Sequence, residues 1–204
     1  MNGNHHLADR IPRGPSRQGG FTMFESLIAT LVFAFGAIGV TGMQNLSMQS
    51  TMEAMQRTQA VFLTNNMIER MRNNSNVLDD YDASDNTAWM IVGNGAIDQE
   101  PTPNCRQAAC SPTQLAAHDL WAWEQAVDGA AVTRQNVGNV GGLVDPTACI
   151  RHTGSGSIEL AIAWRGKREK INASLGTGCT VDGRYGDDDE FRHVLVVRTY
   201  VATP

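Results

Sequence analysis

Arg17-Gln18-Gly19-Gly20-Phe21-Thr22-Met23-Phe24-Glu25-Ser26-Leu27-Ile28, continued by an apolar run to Val40, is the stretch on which the reading of this chain turns. From Phe21 to Val40 the only ionisable side chain is Glu25, and extension to Met43 adds only small or weakly polar groups, enough for one helical span of a bilayer. A secretory signal places its positive region, apolar core and small-residue cut site in that order, with the cut after the apolar core. Here the cut that fits the sequence falls before the apolar run, between Gly20 and Phe21, so the mature chain keeps the span as its own N-terminus. Arg10, Arg13 and Arg17 outweigh Asp9 in the leader. The positive-inside bias therefore holds the leader in the cytoplasm and sends the remainder across the membrane.

Glu25 is the physical anomaly. A carboxylate near the start of a membrane helix costs about 2.5 to 3.5 kcal/mol on insertion scales and persists where something pairs with it. The cation at hand is a free amino group at Phe21, about one helical turn away in its own chain or supplied by a neighbouring chain. The competing reading leaves Glu25 at the headgroup level, simply solvated.

Gly20-Phe21-Thr22-Met23-Phe24-Glu25 resembles the cleavage and N-methylation signal of type IV prepilins and related pseudopilins. The resemblance implies that a prepilin peptidase cuts after Gly20 and methylates Phe21, and that Glu25 pairs with an N-terminal amine as the subunit enters a filament. Met23-Phe24 stands where leucine or isoleucine is more usual in the family, and the leader of residues 1–20 is longer than is common. Asp119-Leu120-Trp121-Ala122-Trp123, following the Cys105/Cys110 pair and followed by strands, is similar to the PilV-type minor pilins, also called type IV pilus modification proteins. That branch implies support for priming of pilus assembly, twitching motility and attachment. It implies as partners the prepilin peptidase, other minor pilins, the major pilin and the inner-membrane assembly machinery. The location implied is a single pass of the inner membrane with a periplasmic globular domain, then the pilus at the cell surface. A minor pseudopilin of a type II secretion system shares the same N-terminus and is the nearest alternative. From another class, a single-span periplasmic binding protein or enzyme needs neither the aromatic terminus nor the paired glutamate.

The chain has 204 residues, 42% hydrophobic and 18% charged, with 16 Lys+Arg against 21 Asp+Glu. This suits one membrane helix plus one globular domain. Removal of residues 1–20 leaves 13 basic against 20 acidic side chains. Such a domain is no general trap for nucleic acid or anionic lipid, and no nucleic-acid partner is expected. Arg165-Gly166-Lys167-Arg168-Glu169-Lys170 reads as a solvated hairpin turn.

From Thr41 to Asn73 there is no proline and, after Gly42, no glycine. Met48, Met52, Met55, Ala60, Leu63, Met67 and Met71 fall on one broad stripe at helical spacing, so one helix of roughly 50 residues is expected, membrane-embedded over 21–43 and amphipathic over 44–74. The stripe is read as core, the alternative being an adaptable methionine-rich partner surface. Gly36, Gly39 and Gly42 soften the first half, each by about 1 kcal/mol relative to alanine. Asn73-Asn74-Ser75-Asn76 ends the helix.

Residues 75–204 form the globular domain. Ala88-Trp89-Met90-Ile91-Val92 offers an apolar anchor in an otherwise polar stretch. Ser111-Pro112-Thr113-Gln114 supplies an N-cap serine, a proline at the first helical position and a glutamine at the third, predicting a helix to Asp128 that Gly129 stops. Leu115, Leu120, Trp121, Trp123 and Val127 are its expected apolar contacts. Ala148–His152, Ser157–Trp164 and Arg192–Val201 read as strands of an antiparallel meander, with 129–145 unassigned. The fold class is α+β: a long N-terminal helix packed on a small antiparallel sheet, which is also the α/β roll that resemblance to pilins implies.

Four cysteines, all beyond the span, can pair in three ways, and in an oxidising compartment pairs are the expected state. Cys105 with Cys110 would pin the entrance to the helix at Ser111, and Cys149 with Cys179 would tie a strand to the loop before the last one. Catalysis finds little footing: His118, His152 and His193 are scattered and no nucleophile motif appears. Asp182–Glu190 is acidic but lacks the ligand order of an EF-hand. No enzyme, cofactor or metal is expected.

Overall fold

The computed structural model describes residues 20–83, 88–136, 138–170, 178–181 and 183–203. Helix α1 runs Met23–Asn73 and is followed by a 3-10 helix, Ser75–Tyr81; helix α2 covers Pro112–Val127. The strands are β1 Met90–Val92, β2 Thr133–Arg134, β3 Gly138–Asn139, β4 Thr147–His152, β5 Ser157–Arg165 and β6 Arg192–Tyr200. The chain divides into two compact units, one ending at Ser47 and the other beginning at Met48.

In the first unit α1 is apolar and uncovered. Phe24, Leu27, Leu31, Phe33, Phe35, Ile38 and Met43 are all exposed, and this helix is long and apolar enough to cross a membrane. Its hydroxyls turn inward on the helix: Thr30 Oγ1 donates to the Ser26 and Leu27 carbonyls at 3.0 and 2.9 Å, and Thr41 Oγ1 to the Ala37 carbonyl at 2.9 Å. A hydroxyl satisfied by its own helix costs little in hydrocarbon.

In the second unit the sheet order is β1-β4-β5-β6, antiparallel throughout, with β2 and β3 as a separate hairpin. The register sorts side chains by period two. Met90, Val92, Ala148, Ile150, Ile158, Leu160, Ile162, Leu195 and Val197 belong to one core with Leu63, Met67, Ile68 and Met71 of α1 and Leu120, Trp123 and Val127 of α2. Each such aliphatic or aromatic side chain taken fully out of water contributes about 1.5 to 3 kcal/mol. On the other face Cys149, Ala161 and Cys179 are buried together, with Trp89 and Val194 against them.

α2 begins as its sequence dictates. Gln114 N donates to Ser111 Oγ at 3.2 Å and Ser111 N to Gln114 Oε1 at 2.9 Å, a reciprocal capping box with Pro112 at the first turn. Gly129 ends it with φ +66, and a Cβ there would lie 1.8 Å from Gly142 N, so the backbone of the returning loop can touch the helix end only because both are glycine. Of the contacts expected for α2, Leu115 and Trp121 are only half-buried, and Ala116 takes the core place instead.

The methionine stripe needs correction. Ala60, Leu63, Met67 and Met71 are buried as core, but Met48, Met52 and Met55 are 68%, 46% and 64% exposed. The described core takes in α1 only from Ala60 onward, and before it α1 borders a recess rather than a packed interior, with Ser50, Glu53, Ala54 and Arg57 on its wall. The segment 129–145 left unassigned by the sequence holds the β2–β3 hairpin, and the Ala88–Val92 anchor supplies edge strand β1.

Candidate functional site

The junction of Gly20, Phe21 and Glu25 is built by one side chain that the sequence reading passed over. Thr22 Oγ1 accepts a hydrogen bond from Glu25 N at 3.2 Å, while the Thr22 carbonyl accepts from Ser26 N at 3.1 Å and Ser26 Oγ at 3.4 Å. Thr22 is thus the N-cap of α1, and Glu25 sits in the first turn, where a negative charge complements the helix dipole. The spacing Thr-x-x-Glu before an apolar run is a capping signature and could have been read directly. Gly20 and Phe21 lie just ahead of the first helical residue, and Phe21 is 82% exposed. The Gly20–Phe21 peptide bond is exposed and lies outside the helix. The leader residues Asp9, Arg10, Arg13 and Arg17 lie outside the described residues.

In the second unit, the Asp119–Trp123 motif acquires a structural role. Asp119 is buried; its carboxylate accepts from Arg70 Nη1 at 2.7 Å and from the Tyr81 hydroxyl at 2.9 Å. Asn74 Nδ2 donates to the Tyr81 oxygen at 3.1 Å and to the Pro112 carbonyl at 2.8 Å. Burial, reinforced by Asp119, pushes the Tyr81 phenol well above its ordinary value, so it is a permanent donor. Trp123, fully buried, donates its Nε1 to the Leu63 carbonyl at 2.9 Å. α2 is therefore fastened to the last turns of α1 by one indole bond and one ion pair. Arg70, Asn74 and Tyr81 carried no sequence signal, because a polar residue's burial depends on a partner dozens of positions away. Glu124 is fully buried and accepts from Ile97 N at 2.9 and 2.8 Å, which fixes the loop before α2.

Cys105 is bonded to Cys110 and Cys149 to Cys179, with separations of 5 and 30 residues. The second bridge lashes the loop before β6 onto the outer face of the sheet. That loop is also held by Arg184 Nη1 on the Pro146 carbonyl at 2.9 Å, by the Tyr185 hydroxyl on Thr147 Oγ1 at 2.7 Å and by a bond from Arg165 Nη2 to the Arg184 carbonyl. Next to it Arg151 and Arg198 share Glu159 across three strands, at 2.6 and 2.8 Å. Burial pushes the Glu159 carboxyl up, and hydrogen bonds from Arg151 and Arg198 outweigh it and hold the carboxyl below its ordinary value.

The histidines are not brought together. His152 Nδ1 meets Asp79 Oδ1 at 2.7 Å while its Nε2 accepts from Gly156 N at 3.2 Å; His118 stands beside Trp121; His193 packs on Trp164. Among the described residues, no group of three or more His, Cys, Asp or Glu side chains is arranged to hold a metal. In the acidic loop Asp182 lies outside the described residues, and Asp189 accepts from Thr180 Oγ1 at 3.1 and 3.0 Å.

No curated protein and no solved structure matches the chain. Residues 42–121, which take in the second part of α1 and α2 as far as Trp121, match the family model described as Tt1218-like, type IV pilin Tt1218, and that match supports the type IV pilin family for this chain.

Proposed function

We propose that the chain is a minor pilin of the type IV pilus modification type, inserted in the inner membrane, cut by prepilin peptidase between Gly20 and Phe21, methylated at Phe21, and carried into the pilus. Residues 1–20 are then the leader, 21–43 the membrane and assembly segment, 44–74 its amphipathic continuation and 75–204 the periplasmic domain. The observation that carries this reading is the junction itself. A non-helical Gly20-Phe21 step precedes a threonine-capped, uncovered apolar helix whose first turn holds the lone Glu25. The same helix leads into the stretch that matches a type IV pilin. A capped helix with a cut site immediately before it delivers, on cleavage, a new amine within about one turn of a carboxylate. In hydrocarbon that pair is neutralised only by close approach, within the chain or between subunits.

The exposed Met48, Met52 and Met55 fit contact with unlike neighbours, since thioether side chains adapt to irregular surfaces. The role is structural rather than catalytic, in priming and supporting a pilus used for twitching and attachment. Its partners on this reading are the peptidase, the other minor pilins, the major pilin and the assembly machinery.

The test is the mass of the mature protein from the membrane fraction. The expected product begins at Phe21 with one added methyl group; a protein retaining residues 1–20 overturns the reading. Deletion of the gene separates the two filament systems: lost piliation supports the pilus, whereas lost secretion with normal pili assigns the chain to a type II secretion pseudopilus.

A further inference from the structure

Strand β6 has a partner on one side only. It pairs along its whole length with β5, and among the described residues no strand lies on its other edge. Among the described residues, no backbone hydrogen bond other than those to β5 is made from His193 to Tyr200. The strand is nine residues long, contains no proline or glycine and reads Arg192-His193-Val194-Leu195-Val196-Val197-Arg198-Thr199-Tyr200. A long β-branched edge of this kind is a template for one more strand, and proteins that must avoid such pairing shorten, kink or cover it.

Two further observations describe what fits there. Beside His193, Val194 and Leu195 the edge opens into a recess of about 380 Å³ whose other wall is α1, through Glu53 and Arg57, with Lys170 at its rim. Among the described residues, three buried polar atoms of this neighbourhood, Glu53 Oε1, Trp164 Nε1 and His193 Nε2, find no hydrogen-bond partner. The accessible charge along the edge is mainly positive. Arg57 and Lys170 stand at the recess against the single Glu53. On the outer face Arg198 is 78% exposed and shares with Arg151 the single carboxylate of Glu159. β6 itself contains no carboxylate, so two copies of it laid edge to edge would bring their arginines together without compensation.

From these features we infer that β6 is a docking edge for an extended segment of a different polypeptide, apolar at alternate positions and carrying carboxylates that meet Arg198 on one face and Arg57 with Lys170 on the other. Backbone pairing supplies the attachment and the carboxylates supply register and selectivity. This goes beyond assembly through the N-terminal helix, because it calls for neither Glu25 nor the membrane segment.

The experiment uses the full chain in detergent micelles and residue-resolved amide hydrogen exchange. The probes are two synthetic peptides of the nine-residue length of β6. Both alternate valine and threonine; in one, a valine and a threonine are replaced by glutamate so that one charge lies on each face, in the other by lysine. The β6 amides that face away from β5 should exchange freely in the chain alone and slow by about tenfold or more with the glutamate peptide. They should be unchanged with the lysine peptide, and Arg198→Glu should remove most of the glutamate peptide's advantage, since Arg57 and Lys170 remain on the other face. Equal protection by both peptides, or none by the glutamate peptide, overturns the proposal. So does protection already present in the dilute chain, and protection that grows with chain concentration alone assigns the edge to a second copy. Each outcome is independent of where the mature N-terminus lies.

Discussion

The two units of this chain treat the same helix in opposite ways. Up to Ser47 its apolar side chains are uncovered and the Thr30 and Thr41 hydroxyls are satisfied within the helix. From Ala60 on, Leu63, Met67, Ile68 and Met71 are buried in a core shared with the sheet and α2, and Arg70 and the Leu63 carbonyl find partners far off in sequence. The difference separates two kinds of stability. The globular unit is held by its own core, whereas the apolar run is complete only against something outside the chain, lipid or other subunits. Substitutions should accordingly split into those that unfold the second unit and those that leave it folded but useless for assembly.

The largest effect on folding should come from Trp123→Ala, which empties a fully buried indole site and orphans its bond to Leu63; about 3 to 5 kcal/mol is expected from denaturant unfolding of the full chain. Loss of the Cys149–Cys179 bridge by paired serine substitution should cost about 3 to 4 kcal/mol, against about 2 for Cys105–Cys110, because the closed loops span 30 and 5 residues. Near-equal losses from the two would point away from chain entropy as the source. Asp119→Ala should cost about 2 to 3 kcal/mol by leaving the Tyr81 hydroxyl buried without its acceptor and Arg70 without its partner. Glu25→Ala should move none of these folding values yet abolish filament incorporation; unchanged piliation in that strain would refute the amine pairing.

Two smaller effects sharpen the contrast. Glu159 has a depressed carboxyl in the folded state, so its contribution is fully present above the unfolded value of about 4.5 and fades as pH falls through the lower folded one. The stability gap between the parent chain and Glu159→Gln should therefore be constant at neutral pH and close in acid; a gap that widens there would contradict the assignment. Thr22→Ala should weaken only the start of α1, by about 1 kcal/mol, seen as faster amide exchange in its first turn with the globular unit unchanged.

Local chemistry made much of the fold legible. The Ser111 capping box placed α2 to within a residue or so, and alternating β-branched runs placed β4, β5 and β6, because each signal lies within a few neighbouring positions. Hidden from the sequence was whatever depends on which surfaces meet. The methionine stripe has a uniform period, yet only the part from Ala60 onward meets the core. β2 and β3 are too short and polar to announce themselves. At the junction, residue order draws attention to Gly20, Phe21 and Glu25 as candidates, whereas the capping role of Thr22 shows once its hydroxyl is seen to accept from Glu25 N.

The two fastenings between α2 and α1 sit at Leu63 and Arg70, seven residues and so about 10 Å apart along the helix axis. A displacement along that axis strains both together. Sliding by a single turn would strip the indole of its carbonyl and the guanidinium of its carboxylate together. The register of the last turns of α1 on α2 is therefore fixed at two points, and a shift along the axis has to break both at once.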